Sequence, residues 1–329
     1  MPERSTRIGV VGATGAVGRV TLRLLAERGY EHVRVFASGR SAGRELDGGL
    51  VVEAATPEAL AAGDLDVALF SVGTSASREL VPHAVRGGAA VVDKSAAYRL
   101  EPGIPLVVPE VNGARALEND GIVANPNCCT IPLTCVLKPL HDAAGLASVR
   151  VSTYQSVSGA GAQRMEQLRN EPQDEHDLAM DWSWEGDETD EEAKIRAEAQ
   201  KILELPELPI SATTVRVPVL VGHAESVWVE LEDELTPDQA TELLAAAPSV
   251  RVVDVPTPGA AAQTDEVLVG RVRVDRASRN GLVLFLACDN LVKGAALNAI
   301  QIAELLLSGD AGKGARTDDL LAAQRDGVG

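Results

Sequence analysis

The sequence predicts an α/β protein of two domains, in which a doubly wound parallel sheet precedes an α+β domain built on one mixed sheet. The chain has 329 residues, which is enough for two domains of ordinary size. Short apolar strands alternate with helices at first, and longer strands follow after about residue 145. We expect a first domain over residues 1–127, completed by a C-terminal helical segment at 290–329, and a second domain over residues 128–289.

The first strand and helix are joined by a glycine-rich turn. Arg7–Val11 is typical of a buried strand, and Gly12-x-x-Gly15-x-x-Gly18 leads from it into an amphipathic helix at Val17–Arg28. A second strand is predicted at His32–Ala37. Glycines in this context allow a tight turn and let a phosphate approach the helix N-terminus. The pattern predicts a Rossmann-type dinucleotide site, whose expected contacts are Gly12, Thr14, Gly15, Ala16 and Val17.

The residues after the second strand indicate which dinucleotide is bound. An NAD site usually has an acidic residue there, which binds the ribose 2′-hydroxyl. This chain has Ser38, Arg40 and Ser41 and no carboxylate in that loop. Because hydroxyl and guanidinium groups suit a 2′-phosphate, we expect NADP(H) rather than NAD. An ordinary polar loop is the alternative interpretation.

Later loops of the same domain carry further candidates. More strands are predicted at Asp66–Phe70, Ala89–Val92, Leu106–Val108 and Ile122–Ala124. The C-terminal ends of parallel strands line the crevice of this fold, which places Ser71, Gly73 and Thr74 near the cofactor. Arg99 lies on the next loop and is a candidate anion ligand, unless it is a solvated surface arginine.

A cysteine follows an Asn-Pro-Asn turn at the end of the last of these strands. Asn127 is a good N-cap for a helix over Thr130–Ala144, which places Cys128 in its first turn. Unpaired N–H groups and the helix dipole stabilise a thiolate there, although a buried structural cysteine is the alternative. The four cysteines, two of them adjacent, fit neither a disulfide framework nor a zinc site. We expect a reduced cytoplasmic protein without a metal.

The charge balance excludes several classes of partner. Acidic residues outnumber basic ones 48 to 30, and the net charge is −18. Such a charge argues against nucleic acid and anionic membranes as partners. No apolar run is long enough to cross a bilayer, and the N-terminus does not have the pattern of a signal peptide. Adaptation to high salt and a composition-biased genome both explain this surface.

The second domain supplies a candidate acid/base residue. Its long strands are predicted at Ser148–Ser156, Ser226–Glu234, Val250–Val255, Val267–Asp275 and Gly281–Cys288. Among the five histidines, His223 is best placed because it lies on a glycine-marked bend shortly after Arg216.

An acidic segment interrupts this domain. Residues 171–192 contain eleven Asp or Glu and no Lys or Arg, which predicts a solvated loop. Trp182 and Trp184 are available to pin that loop to the body or to a partner subunit. Glu198 and Lys201 are neighbours on a predicted helix over Glu191–Leu203, where a surface ion pair is the simplest interpretation.

Six short motifs occur in order along the chain. They are Gly12-x-x-Gly15-x-x-Gly18, Ser38 to Gly43, Asn125-Pro126-Asn127-Cys128, Tyr154 to Gly161, Arg216-Val217-Pro218-Val219 with Gly222-His223, and Asp289 to Ala296. Together they resemble the aspartate-β-semialdehyde dehydrogenase family over nearly the whole chain. The resemblance implies an NADP-dependent enzyme that forms a homodimer or homotetramer. It also implies reductive dephosphorylation of L-aspartyl-4-phosphate to L-aspartate-4-semialdehyde through a cysteine thioester, on the route to lysine, threonine and methionine.

The resemblance implies a role for each matching residue. Cys128 would be the nucleophile, His223 the acid/base and Gln155 the residue that orients the substrate; Arg216 would bind the α-carboxylate and Glu198 the α-amino group; Arg99, Asn127 and Lys201 would receive the phosphate; Ser158, Gly159 and Asn290 would contact the cofactor. Three positions depart from the family pattern. Lys94 stands where Asn is usual, Pro132 where Gln is frequent, and Cys129 where Ser is commoner.

Two other functions compete with this one. One alternative is an N-acetyl-γ-glutamyl-phosphate reductase, a family that is similar in fold and also has a Cys/His pair. That family favours Asn-Pro-Gly-Cys where this chain has Asn-Pro-Asn-Cys, and its acetylated substrate has no free amine for Glu198 to bind. A non-catalytic paralogue that binds NADP is the other alternative. Loss of Cys128 or His223 would indicate it, and both residues are present.

Overall fold

The chain folds into two compact units. The structure, a computed structural model, describes residues 5–170 and 182–309. One unit runs up to Pro126 and resumes at Ala296, and the other spans Asn127–Ala295. The second boundary lies six residues beyond the expected position 290, because the segment from Asp289 is tied into the second unit. Asp289 accepts a hydrogen bond from the backbone of Gln263 at 2.7 Å, and Asn290 accepts one from Gly222 at 3.0 Å.

The first unit is built on a six-stranded sheet in which every pairing is parallel. Its strands are β1 (Arg7–Val11), β2 (His32–Ala37), β5 (Glu53–Ala54), β6 (Val67–Phe70), β7 (Ala90–Asp93) and β8 (Ile122–Ala124), and a small hairpin of β3 (Glu45–Leu46) and β4 (Leu50–Val51) stands apart. In the order β5-β2-β1-β6-β7-β8, the chain starts at β1 in the interior of the sheet and adds strands first on one side and then on the other, which confirms the doubly wound fold. Strand β6 is apolar and fully buried, as expected for a parallel strand covered on both faces.

Helices follow the strands of this sheet. They are α1 (Ala16–Glu27), α2 (Pro57–Leu60), α3 (Thr74–Arg86) and α4 (Pro109–Asn112), and the C-terminal α10 (Leu297–Ser308) belongs to the same unit. The amphipathic pattern of α1 is confirmed, since Leu24 and Leu25 are buried. The expected strand at Leu106–Val108 is wrong: only an isolated bridge from Leu106 to Ala124 forms there.

The second unit is built on a six-stranded mixed sheet of order β12-β9-β13-β16-β15-β14. Its strands are β9 (Leu146–Gln155), β12 (Ile210–Arg216), β13 (His223–Leu231), β14 (Val250–Val252), β15 (Val267–Val274) and β16 (Gly281–Cys288). The two outer pairings, β12 with β9 and β14 with β15, are parallel, and the inner pairings are antiparallel. The mixed sheet predicted from the sequence is therefore confirmed.

One strand of this sheet and the acidic segment differ from expectation. No strand was predicted at Ile210–Arg216, although its alternating exposed and buried residues are typical of one. Within the acidic segment, residues 171–181 lie outside the described part of the chain. In the remainder, residues 183–187 are exposed as predicted, but the expected loop is wrong: the chain forms a hairpin of β10 (Trp184–Glu185) and β11 (Glu188–Thr189) and then a helix whose first turn is partly buried.

Helices cover the mixed sheet. They are α5 (Thr130–Ala144), α6 (Ala162–Asn170), α7 (Asp190–Leu203), α8 (Pro237–Ala246) and α9 (Pro258–Ala261). Helix α5 is buried over most of its length, and it contacts α7, α8 and β16. Its first turn thus lies inside the unit, against the sheet. Across the described residues, no helix is both long and apolar enough to cross a membrane.

Candidate active site

Strand pairing gathers polar side chains on one face of the mixed sheet. Gln155 of β9 is paired with Arg216 of β12, Thr153 of β9 is paired with Glu225 of β13, and His223 is paired with Cys288. Paired residues and residues two apart on a strand share a face, so these side chains lie together. All six of them are buried. Polar side chains on a sheet usually face water. The burial of these six together therefore indicates a functional site.

The turn before α5 carries the two adjacent cysteines. Ile131 N donates to Asn127 O at 3.1 Å and Leu133 N to Cys129 O at 3.2 Å, as in a helix. Between them, Pro132 has no N–H to give to Cys128 O, and the regular helix begins only at Thr130. Cys128 therefore lies in an irregular first turn, enclosed by the Ile131 N to Asn127 O bond and just before the regular helix.

Asn127 makes the capping bonds that the sequence predicts. The regular helix is counted from Thr130, but Asn127 O already accepts from Ile131 N at 3.1 Å, and Asn127 Oδ1 accepts from Cys129 N at 2.8 Å, as in an N-cap. The N–H of Asn127 donates to Glu198 Oε2 at 2.6 Å. Both ends of the residue are thus fixed just before the cysteines. The position of Cys128 is set by these contacts.

The two cysteines differ sharply in environment. Cys128 is partly accessible, whereas Cys129 is fully buried and burial raises the pKa of its thiol. The sulfur atoms of both and one ring nitrogen of His223 all lie within 4.8 Å of one another. Such a set could ligate a soft metal ion, and it is also the arrangement in which an imidazole serves a thiolate nucleophile. The accessibility of Cys128 and the raised pKa of the Cys129 thiol both favour Cys128 as the reactive group.

His223 is oriented by a neighbouring backbone amide. Ser156 N donates to His223 Nδ1 at 3.0 Å, so the neutral ring carries its proton on Nε2. Nε2 is buried and has no hydrogen-bond partner among the described residues. The bend predicted at His223 lies one residue earlier, at Gly222, whose φ is 97°, and His223 itself begins β13. His223 therefore stands on a strand, and its Nε2, which has no partner among the described residues, can bond to a ligand.

A polar network supports the histidine from behind. Asn290 Oδ1 accepts from Ser156 Oγ at 3.1 Å and from Gly222 N at 3.0 Å, and Asn290 Nδ2 donates to Ser158 Oγ at 2.9 Å. These bonds join the end of β9 to the start of β13. In the described structure, Ser158 and Asn290 thus organise the loops beside His223; their predicted contact with a cofactor stays a prediction.

Arg216 is enclosed on several sides. Its Nη1 donates to Ser156 O at 3.1 Å, and the Trp182 ring lies over the guanidinium at 4.6 Å. Trp182 thus contacts the body of its own unit, whereas Trp184 is 58% exposed. A Cβ at Gly159 would lie 3.2 Å from both Arg216 Nη1 and His223 Nε2, so a larger residue there would displace these side chains by a few tenths of an ångström.

Helix α7 contributes carboxylates to the site. Glu198 is only 1% exposed, so the interpretation of Glu198 and Lys201 as a surface ion pair is wrong. Glu191 is also buried and bonds to the side chains of Asn127 and Gln155. Nothing in the sequence distinguished Glu191 from its acidic neighbours, because the same segment supplies ten other acidic residues.

Glu225 is a second carboxyl group that the sequence analysis missed. It is fully buried, and neither carboxyl oxygen has a hydrogen-bond partner among the described residues by distance and angle. Burial raises the pKa of Glu225 well above its usual range, and a negative charge on Cys128 raises it further. Burial therefore favours the protonated form of this carboxyl group. Its spacing of two residues from His223 on a strand is the signal that could have identified it.

The predicted dinucleotide loops lie in the first unit and fit a phosphate-bearing ligand. Gly12 has φ 89°, and a Cβ there would lie 2.3 Å from Ser71 O. Gly15 and Gly73 are the N-caps of α1 and α3, and neither helix start has a side-chain cap. The first N–H groups of both helices are therefore available to a phosphate. Thr14, Ala16, Val17 and Thr74 lie on the same two turns.

The loop after β2 has the expected composition and shape. A short 3₁₀ turn at Gly39–Ser41 follows Ser38, and both Ser38 and Arg40 are exposed. A 2′-phosphate could bind the Arg40 guanidinium and the two serine hydroxyls without meeting a carboxylate in this loop. The residues present therefore fit NADP(H).

Arg99 and Lys94 are held within the first unit. Arg99 donates to Asn125 O at 3.1 Å and to Lys94 O at 2.7 Å, so it is not a freely solvated arginine. Lys94 Nζ donates to Thr21 Oγ1 on α1 at 3.2 Å, and burial lowers the pKa of Lys94 to about 7. The departure from the family pattern at Lys94 thus places a weakly basic amine against α1.

Comparison with known proteins agrees with this geometry. The semialdehyde dehydrogenase NAD binding domain matches residues 7–119, and the semialdehyde dehydrogenase dimerisation domain matches residues 137–293. The aspartate-semialdehyde dehydrogenase of Corynebacterium glutamicum is 46% identical over an alignment that covers 92% of this chain and 99% of that protein.

Two solved structures extend the comparison. Aspartate semialdehyde dehydrogenase II from Vibrio cholerae, complexed with ASA, is 36% identical with a TM-score of 0.87, and the match covers 93% of this chain and 99% of that one. Aspartate semialdehyde dehydrogenase from Candida albicans, with NADP, is 26% identical with a TM-score of 0.76, and the match covers 92% of this chain and 98% of that one.

Proposed function

Because the chain belongs to the semialdehyde dehydrogenase family, we propose that it is an NADP-dependent aspartate-semialdehyde dehydrogenase. The reaction is the reductive dephosphorylation of L-aspartyl-4-phosphate to L-aspartate-4-semialdehyde, a step in the biosynthesis of the aspartate family of amino acids. One observation carries the proposal above the others. An accessible Cys128 thiol lies within 4.8 Å of a ring nitrogen of His223, whose tautomer is fixed by Ser156.

The chemistry proceeds on the sulfur of Cys128. Its thiolate attacks the acyl carbon, a C–S bond forms, the C–O bond to phosphate breaks, and inorganic phosphate leaves. When bound, NADPH supplies the hydride that reduces the resulting thioester. His223 Nε2 donates a proton to the developing oxyanion and takes it back when the C–S bond breaks to release the aldehyde. Nε2 is suited to this role because it is buried and has no hydrogen-bond partner among the described residues.

Charged side chains suit the rest of the substrate. Arg216 would bind the α-carboxylate, and its guanidinium is already oriented by Ser156 O and by the Trp182 ring. Glu198 would bind the α-amino group, and Asn127, Arg99 and Lys201 would receive the phosphate. The buried carboxylate of Glu198 favours a substrate with a free amine, and so disfavours the N-acetylated substrate of the alternative reductase.

The cofactor and assembly follow from the same family. Gly12, Gly15 and Gly73 would hold the pyrophosphate, and Ser38, Arg40 and Ser41 would bind the 2′-phosphate of NADP. The dimerisation domain match supports a homodimer as the smallest assembly. A reducing, cytoplasmic setting belongs to the proposal because the Cys128 thiol has to stay reduced to act.

The test uses the purified protein in the reverse direction. We expect reduction of NADP in the presence of aspartate semialdehyde that depends on added phosphate or arsenate, with NAD a much poorer acceptor. N-acetylglutamate semialdehyde is the control substrate and should give no turnover. Turnover with the N-acetylated substrate alone would favour the alternative reductase, and no turnover with either would favour a non-catalytic NADP-binding protein.

A further inference from the structure

Glu191 joins the two amide side chains of the site. The residue is 6% exposed, and its Oε1 atom accepts hydrogen bonds from Asn127 Nδ2 at 2.8 Å and from Gln155 Nε2 at 3.2 Å. One carboxylate oxygen thus connects the turn that carries Cys128 to the end of β9. The reaction as described above gives Glu191 no part, so its buried charge calls for a separate explanation.

These bonds fix which atom each amide presents. Asn127 Oδ1 is occupied by Cys129 N, so its NH₂ group is the part that faces Glu191. Gln155 Nε2 donates both to Glu191 at 3.2 Å and to Thr153 Oγ1 at 3.3 Å, so the carbonyl oxygen is the atom of this amide that could accept a hydrogen bond from a ligand. Rotation of either amide by half a turn would place a carbonyl oxygen against the carboxylate, where the two would repel each other.

The start of α7 explains why the carboxylate lies inside. Thr189 and Glu192 form a capping box, which fixes the first turn of the helix. Lys194 pairs with Asp190 at 2.7 Å and also lies 3.8 Å from Glu191 Oε2, while Glu191 Oε1 accepts the two amide bonds of the site. A carboxylate in a first turn is favoured by the helix dipole, which offsets part of the cost of its burial.

The charge of Glu191 acts against the nucleophile. Burial raises the pKa of Glu191, and a negative charge on Cys128 raises it further, whereas the bonds from Asn127 and Gln155 lower it. Because such an interaction is reciprocal, an ionised Glu191 disfavours the Cys128 thiolate. An acidic residue is therefore unsuited to stabilising the Cys128 thiolate. This favours a role for Glu191 in positioning neighbouring side chains.

We propose that Glu191 is a positioning residue, which sets the orientation of the Gln155 and Asn127 amides and through Asn127 the place of Cys128. This inference rests on the proposed function and deepens it. It assigns to Gln155 the role of a hydrogen-bond acceptor towards the substrate. It also predicts two opposite effects of removing the carboxylate. Turnover should fall because the amides lose their orientation, whereas the reactivity of Cys128 should rise because a repulsive charge disappears.

The experiment compares Glu191→Gln and Glu191→Ala with Asp190→Asn. The control removes the same charge from the same helical turn, at a carboxylate that shares Lys194 with Glu191, whereas the bonds to Asn127 and Gln155 belong to Glu191. We expect Glu191→Ala to lower kcat/KM for aspartate semialdehyde by about 10²-fold through misplacement of reacting groups, with Glu191→Gln between Ala and wild type and Asp190→Asn within about twofold. The second readout is the rate at which iodoacetamide alkylates Cys128 at neutral pH, which should rise in both Glu191 variants.

The combination of readouts separates positioning from stability. If turnover and alkylation fall together in both Glu191 variants, the role is structural and the proposal is wrong. It is equally wrong if both variants keep kcat/KM within about twofold of wild type, since misplaced groups cost more than that. A wild-type protein without phosphate-dependent turnover would instead contradict the proposed function, and the alkylation rates would still report on Glu191.

Discussion

The two units build their candidate sites in opposite ways. In the first unit, the loops after β1 and β2 offer glycines, uncapped helix starts and the exposed side chains of Ser38 and Arg40. In the second unit, Gln155, His223 and Arg216 are buried and already bonded to neighbours. The first arrangement leaves donors open for a separate molecule. The second holds its groups in place before any substrate arrives, which is what a reacting centre needs.

The contrast extends to single residues. Cys128 and Cys129 are adjacent in sequence, yet one is partly accessible and the other is sealed in the core. Gly73 has open space where a Cβ would stand, whereas a Cβ at Gly159 would meet two functional side chains. A change in the first unit should therefore be felt mainly when a cofactor binds. A change in the second should disturb the site even without a ligand.

The cysteine pair gives the largest expected effect. Cys128→Ala should lower kcat by about 10⁴-fold or more, because no other group can form the thioester. Cys129→Ala should keep kcat within about tenfold, since the buried thiol serves only packing. Steady-state rates of NADP reduction check both. The assignment fails if the Cys129 variant is dead and the Cys128 variant is active.

The glycine pair sharpens the contrast between the two units. Gly159→Ala places a methyl group 3.2 Å from Arg216 Nη1 and His223 Nε2. We expect it to lower kcat/KM for aspartate semialdehyde by about 10- to 10²-fold, because small displacements of reacting groups are costly. Gly73→Ala should leave the ligand-free melting temperature unchanged and raise KM for NADP. Similar behaviour of the two variants in both assays would remove the distinction drawn above.

Lys94 is an exception to the contrast drawn above, because it is a charged group of the first unit whose pKa is shifted by burial. Its folded-state pKa is lowered to about 7 by burial, whereas a lysine in an unfolded chain titrates near 10.4. Between these values the unfolded state binds the extra proton, so the free energy of unfolding rises with pH across this window. Below it, both states are charged and the full cost of burial is felt. Lys94→Met should therefore stabilise the protein by about 1–2 kcal/mol at low pH and by less at high pH.

Urea unfolding of wild type and Lys94→Met from about pH 6 to pH 10 measures this difference. Asp93, which is also buried, is common to both proteins, so its titration cancels in the comparison to first order. A difference in stability that does not change with pH would show that the amine is not desolvated in the folded state.

The smallest expected effect concerns the tryptophan over Arg216. Trp182→Ala removes a cation–π contact at 4.6 Å and should raise KM for aspartate semialdehyde by about two- to fivefold. Trp184→Ala is the matched control, because that ring is exposed and should not matter. Equal effects of the two substitutions would mean that the hairpin as a whole, and not this contact, supports Arg216.

Local patterns predicted the first unit well and the second only in part. The glycine spacing, the apolar strands and the loop after β2 are contiguous in sequence, so their chemistry could be recognised directly. The places of Gln155, Arg216 and His223 depend on strand pairing between distant segments, and no local signal gives that register. Residues in the family motifs could be proposed for the site despite this, because the resemblance named them.

The failures have particular physical causes. The helix start at Asn127 is less regular than predicted because Pro132 cannot complete the helical bond to Cys128 O, so the regular helix begins at Thr130 although Asn127 makes the capping bonds. The surface pair predicted at Glu198 failed because helical spacing says which residues are neighbours and not which face is covered. Glu191 was missed because nothing in the sequence sets it apart from its acidic neighbours, and Glu225 because its two-residue spacing from His223 has meaning only once both are known to lie on one strand.

The central claim is that Cys128, held by Asn127 and served by His223, is the residue that becomes acylated. Incubation of the purified protein with aspartate semialdehyde and NADP in the absence of phosphate should leave an acyl group on the enzyme. Peptide mapping by mass spectrometry then locates it. The account predicts a thioester on Cys128, more of it when phosphate is withheld and none in Cys128→Ala. An acyl group on Cys129, or phosphate-dependent turnover with no acylated cysteine, would contradict it.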